Sequence, residues 1–139
     1  MTARFQIAFE HEFHYRAIPG LRGVHAAVPV GLIGPAGRDD ALALIDTGAS
    51  YSLFNGRRAR AIGLDLAQGR TLKLSGLTGV LQARLLRVAL EILGNSFDCE
   101  VAFSEQDIHR ELLGRNDLFA HIRLGFLEGS SLGYFHPSP

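Results

Sequence analysis

Ala41-Leu42-Ala43-Leu44-Ile45-Asp46-Thr47-Gly48-Ala49-Ser50 joins an apolar run to a turn that carries a carboxylate. Five apolar residues in succession predict a strand buried on both faces. Asp46-Thr47-Gly48 then predicts a tight turn at its end, which exposes the carboxylate in a fixed geometry. Gly48 permits close backbone approach and offers its amide to that carboxylate, while Thr47 can bond to backbone in place of water. Taken alone, the triplet also fits an Asx-type turn that merely closes a strand.

Upstream of this run, Val24, Ala26, Val28, Val30 and Leu32 recur with period two, and Pro29 sets their strand near a sheet edge or bulge. Gly34 to Asp40 reads as the turn between the two strands. Further back, Phe5, Ile7, Phe9, Phe13 and Tyr15 hold odd positions, and Arg4, Gln6, Glu10, Glu12, His14 and Arg16 hold even ones. That alternation predicts a long half-buried antiparallel strand, ended by Pro19-Gly20. We treat residues 1–22 as an added N-terminal strand and residues 23–139 as the main domain. The strand either covers a sheet edge or builds a dimer interface.

Downstream, Asn55 and Gly63 predict the cap and stop of a short helix from Gly56 to Ile62. The runs Thr71–Leu74 and Val80–Leu93, joined by Ser75-Gly76-Leu77-Thr78-Gly79, predict a hairpin. Gly94-Asn95 turns the chain into an alternating strand, Phe97–Phe103, whose one face carries Cys99 as a small core residue. A second short helix is expected near Asn116, carrying Leu118 and Phe119. Ile122–Phe126 and Leu132–Phe135 flank a final turn at Glu128-Gly129-Ser130. No internal repeat or linker is visible, so the chain reads as one all-β domain with one or two short helices.

Composition narrows the function classes. The chain has 139 residues, one domain's worth, and fourteen basic residues balance fourteen acidic ones. Net neutrality argues against nucleic acid as a partner and leaves self-association unopposed by charge. Cys99 is the single cysteine, so an internal disulfide and a Cys-based zinc site are excluded and a cytoplasmic location is expected. The N-terminus shows no signal-peptide core. The longest uncharged stretch, Ala26 to Gly37, contains Pro29 and Pro35 and is too short to span a membrane as a helix.

Three features together resemble the retropepsin-like aspartic proteases, single-lobe relatives of pepsin. Leu44-Ile45-Asp46-Thr47-Gly48-Ala49-Ser50 is similar to the catalytic loop. Ser75-Gly76-Leu77-Thr78-Gly79 stands where the family has its flap. Leu112-Leu113-Gly114-Arg115-Asn116 is similar to the late hydrophobic-hydrophobic-glycine element. The resemblance covers about residues 24 to 127. It implies a closed acid-protease β-barrel, one lobe per chain, and an aspartic endopeptidase with Asp46, Thr47 and Gly48 as catalytic residues. It further implies that Ala49, Ser75, Gly76, Leu77, Thr78 and Gly79 bind substrate, with Leu113, Gly114 and Arg115 as structural residues near the site.

Aspartic protease chemistry needs two carboxylates that share one proton, and this chain has one Asp-Thr-Gly. The resemblance therefore implies a symmetric homodimer with Asp46 facing its counterpart, a peptide or protein substrate and best activity at mildly acidic pH. No metal or organic cofactor is required. Viral members carry an aspartate shortly after the triplet, paired with the late arginine. Here Ser50 stands near that place, which leaves Glu100, Asp107 and Asp117 as candidate partners for Arg115. The hairpin tip is also less glycine-rich than the viral flap. Two other functions compete: a weakly active or inactive dimer that binds peptides, and a small barrel that holds an apolar ligand.

Other signals carry less. His11 and His14 are three apart on an expected strand and would point to opposite faces, unlike the helical zinc motif. Gly31 to Gly37 imitates a dinucleotide loop but lacks the helix that must follow it. Arg57, Arg58 and Arg60 read as the solvated face of the first helix. His109, His121 and His136 show no ligand spacing.

Overall fold

The computed structural model describes residues 1–77 and 79–138. Its strands are β1 (His11–His14), β2 (Arg16–Ala17), β3 (Val24–His25), β4 (Ala27–Gly34), β5 (Gly37–Ile45) and β6 (Leu53–Asn55), then, after the helix α1 (Gly56–Ala61), β7 (Arg70–Gly76), β8 (Gly79–Ile92), β9 (Asn95–Ser104), β10 (Glu111–Leu113), β11 (Ile122–Leu127) and β12 (Leu132–Pro137).

β4 and β5 form a hairpin around Pro35-Ala36, in register from Ala27↔Leu44 to Gly34↔Gly37. β8 is long enough to serve three neighbours. It pairs with β9 from Ala83↔Ser104 to Ile92↔Asn95, its first half pairs with β7, and its last residues reach β4 at Val30↔Ile92. That last pairing closes a ring, β4-β5-β10-β6-β9-β8, with β7 outside it. Pro29 is exposed one position before the β8 pairing begins, so its missing N–H costs no ladder bond there. The ring is the closed all-β barrel that the resemblance implied.

Inside the ring lie Val28, Val30, Leu32, Phe54, Leu90, Ile92, Val101, Phe103, Leu113 and Leu118, all essentially inaccessible to water. A second, smaller cluster of Leu53, Ala83, Leu85 and Ala102 packs with Leu72, Leu74, Leu81, Tyr51 and Leu112 at the base of the β7–β8 hairpin. β5 departs from expectation: Ala41 and Ala43 are buried, but Leu42 and Leu44 are only half so. Their face meets Ile18, Pro19 and His109–Glu111 around a hollow of about 210 Å³ and no second layer.

α1 begins and ends where Asn55 and Gly63 place it, though not by the expected cap. The Asn55 side chain ignores the helix; its Oδ1 accepts from Ile108 N–H at 2.8 Å and its Nδ2 donates to Ile108 O. At the other end Gly63 sits at φ 85°, and the bonds Gly63 N–H to Arg60 O and Leu64 N–H to Ala59 O close a Schellman motif. The second helix is reduced to one 3-10 turn, Phe119–His121. Asp117 at φ 68° breaks it, held in the left-handed region while its Oδ2 accepts the Glu100 N–H at 2.6 Å.

The N-terminal strand is far shorter than its alternation predicts. His11–His14 pair with Leu132–Phe135 of β12, so β1 covers one edge of the terminal hairpin β11–β12, and Arg16–Ala17 pair separately with Val24–His25 of β3. Extending that register would set Phe9 opposite Pro137, which has no N–H for the ladder. Phe9 instead leaves the sheet and packs on Tyr134 with ring centres 5.7 Å apart, while Phe5 and Ile7 stay exposed. Phe13 lies over Gly133, where any side chain would collide with its ring. An edge-on contact between Phe97 and Phe135, 6.1 Å between centres, ties this small sheet to the barrel.

Candidate active site

Asp46 stands one residue past the end of β5, half-buried, with Thr47 and Gly48 exposed beyond it. Its Oδ1 accepts the Gly48 N–H at 2.9 Å, and its own carbonyl accepts the Ala49 N–H at 3.1 Å. The turn is therefore closed by both the backbone and the carboxylate, as the triplet predicts. A Cβ at position 48 would press on Oδ1 at 3.3 Å, so glycine keeps the carboxylate where it is.

The late element Leu113-Gly114-Arg115 clamps this loop from the side. β10 runs parallel to β5, with Leu113 opposite Ile45, and antiparallel to β6. Beyond the ladder, Asp46 N–H donates to Leu113 O at 2.9 Å, Arg115 N–H to Ala49 O at 2.9 Å and Asn116 N–H to Ser50 O at 2.7 Å. Gly114 N–H donates to the buried Ser52 hydroxyl at 3.0 Å. Gly114 passes so close to the Tyr51 carbonyl that a Cβ there would overlap it. Four hydrogen bonds and one close approach thus hold the loop rigidly, although 66 residues or more separate its two halves in most of these pairs.

The β7–β8 tip lies across a groove of about 410 Å³ from the loop. Gly48, Ala49, Ser50 and Tyr51 form one wall, Ser75, Gly76 and Gly79 the other, with Leu53, Leu74, Leu81 and Leu112 as an apolar floor. Of the residues expected to bind substrate, Ala49, Ser75, Gly76 and Gly79 come together here. Leu77 is fully exposed at the tip and does not line the groove, and Thr78 lies outside the described residues. Sequence reasoning missed Tyr51 and the leucine floor. The alternation of Leu72 and Leu74 with Leu81 across the hairpin was the available signal for the floor.

None of the three proposed acids reaches Arg115. Glu100 pairs with Arg70, Asp117 with Arg87 and His121, and Asp107 forms no ion pair among the described residues. Arg58 is a second correction: it is not on a solvated face. Its side chain is only 13% exposed, its Nε donates to Glu111 Oε2 at 2.5 Å and its Nη1 to Asp39 Oδ2 at 3.2 Å. The hydrogen bond it donates to Glu111 raises the Arg58 pKa further above its already high ordinary value. Glu111 Oε2 also accepts the Asn55 N–H, so this ion pair joins α1 to β10 directly beneath the clamp. No group of three or more His, Cys, Asp or Glu side chains is placed to hold a metal ion among the described residues. No helix among them is long and apolar enough to cross a membrane.

A closed β-barrel of one lobe, with an Asp-Thr-Gly turn clamped between parallel strands, defines a single-lobe acid-protease fold. A family model described as aspartyl protease matches residues 30–116, well over half of the chain. The chain belongs to that family, whose type is retropepsin-like. No curated protein matches it.

Proposed function

We propose that this chain is one half of an aspartic endopeptidase, active as a symmetric homodimer that sets Asp46 against Asp46 of a second copy. The observation that carries the reading is the Asp46 turn itself: a carboxylate fixed by Gly48 and clamped by β10, beside a groove with an apolar floor. Oδ2 of Asp46 and the exposed Thr47 hydroxyl accept or donate no hydrogen bond among the described residues, which leaves both available to a partner.

In the dimer two carboxylates at short range share one proton, because both cannot stay ionised. The ionised one takes a proton from a water lying between them as that water attacks the scissile carbonyl. The protonated one donates to the carbonyl oxygen. Thr47 braces the pair across the twofold axis. The β7–β8 tip acts as a flap, and an extended peptide lies in the groove as an added strand, held by backbone bonds to Ser75, Gly76 and Gly79 and by side chains on the leucine floor. The single free cysteine suits a reducing, cytoplasmic setting.

The test is cleavage of an unstructured polypeptide at about pH 4–6, the range in which a shared-proton pair works. Asp46→Asn should lower kcat/KM by about 10³-fold or more while leaving the fold and the dimer intact. Equal cleavage by the variant would sink the mechanism. Peptide binding without cleavage by the unaltered protein would leave a binding module instead.

A further inference from the structure

Arg115 stands beside the groove as a charge with no counter-charge. Its backbone is tied to the Asp46 loop through Ala49 O, and its exposed side chain lines a second, open hollow of about 620 Å³ with Ser50, Tyr51, Asn116, Phe119 and Ala120. Ser50 and Tyr51 line both this hollow and the groove under the β7–β8 tip, so the two share one rim. Arg115 is the only charged side chain lining either of them, and it pairs with no carboxylate among the described residues. A guanidinium offers a planar fork of donors that fits a carboxylate in bidentate fashion, and Asn116 and Ser50 add neutral polar groups at the same wall.

We infer that Arg115 is a specificity-determining residue that takes a carboxylate of the bound peptide, so that the substrates are acidic at a position just beyond the groove. The inference rests on the reading of the groove as a peptide site. Two sources supply that chemistry, an Asp or Glu side chain and a C-terminal carboxylate. Rim charges contribute modestly, whereas bidentate bonds to a carboxylate contribute more, so the preference is about five- to tenfold in affinity.

The experiment uses the full chain carrying Asp46→Asn, so that bound peptides stay intact, and fluorescence anisotropy at about pH 6, where peptide carboxylates are ionised. The probes are labelled extended peptides of one neutral sequence, with Glu moved along it, each made with a free and an amidated C-terminus. Tighter binding of an amidated Glu peptide identifies the side chain as the source; a gain confined to free C-termini identifies the terminal carboxylate. Arg115→Gln should abolish the preference and leave the neutral amidated peptide unchanged, and Arg115→Glu should favour Lys-containing peptides. Equal affinity for acidic and neutral peptides, absence of binding included, overturns the inference. So does an Arg115→Gln variant that weakens all peptides alike or dissociates the dimer, since Arg115 would then serve a contact between copies. Cleavage by the unaltered protein is scored separately. Cleavage without acid preference removes this inference and keeps the peptidase, whereas an acid preference without cleavage does the reverse.

Discussion

Two single residues show how tightly the site and core are specified. Gly114 has an ordinary backbone conformation; what excludes a side chain there is the Tyr51 carbonyl, so the constraint is invisible in the sequence except as a glycine after two leucines. Cys99 was readable from alternation and is fully buried in the barrel. Burial pushes its thiol up to about 12, with Asp117 and Asp98 adding to the effect. The sign of the pH effect follows. The thiol titrates near its ordinary 9.0 in the unfolded chain but stays protonated in the native one, so the unfolded state sheds its proton first. The Cys99 contribution is complete below about pH 9 and is lost as pH rises towards 12. Denaturant titrations of the protein and of Cys99→Ala at pH 7 and pH 10.5 check this: the unaltered protein should lose more stability over that interval than the variant. A thiol reagent at pH 8 should also label the native protein far more slowly than the unfolded one.

At the scale of elements, what sequence reasoning could reach depended on how local the controlling contact was. Hairpins were legible because their turns and alternation lie within a few residues; β4–β5 and β7–β8 appear where Pro35-Ala36 and the 75–79 segment put them. The Asp46 turn was legible for the same reason, since Gly48 answers the carboxylate two residues away. Failures came where a distant contact overrode a local pattern. The alternation from Phe5 to Tyr15 is strand-like, yet β12 offers a partner for only its later part. Asn116–Ile122 has helical apolar spacing, yet the Glu100 amide captures Asp117 in a left-handed conformation. Arg58 reads as surface, yet Glu111 is brought beneath it by the insertion of β10. That pair yields a prediction of its own. Glu111 is 9% exposed, so Glu111→Ala strands the Asn55 N–H, leaves Arg58 only the part-exposed Asp39 as counter-charge and should cost about 3 kcal/mol in denaturant unfolding. The double change Arg58→Met with Glu111→Leu should recover much of that loss, because it removes both buried charges and the Asp39 carboxylate it releases is a third exposed to water.

For the whole molecule, the decisive quantity is stoichiometry. One chain brings one Asp-Thr-Gly and one hairpin tip, and the proposed chemistry uses two carboxylates, one from each chain. Activity should therefore follow the dimer population. On dilution below the dissociation constant, specific activity should fall in proportion to the loss of dimer measured by sedimentation velocity at the same concentrations. Specific activity that stays constant while the protein sediments as a monomer would contradict the two-chain site. Net neutrality does nothing to oppose such pairing.

The insertion of β10 between β5 and β6 also orders events in time. Asp46 becomes rigid only when Leu113, Gly114 and Arg115 have docked, and those residues follow it along the chain by the length of the entire β7–β9 meander. Contacts of such long sequence separation form late and slowly, since a large loop must close before they return any stabilisation. A nascent or partly refolded chain therefore holds its carboxylate on an unsupported turn. In the proposed peptidase, the strand order therefore ties the supported carboxylate to completion of the barrel.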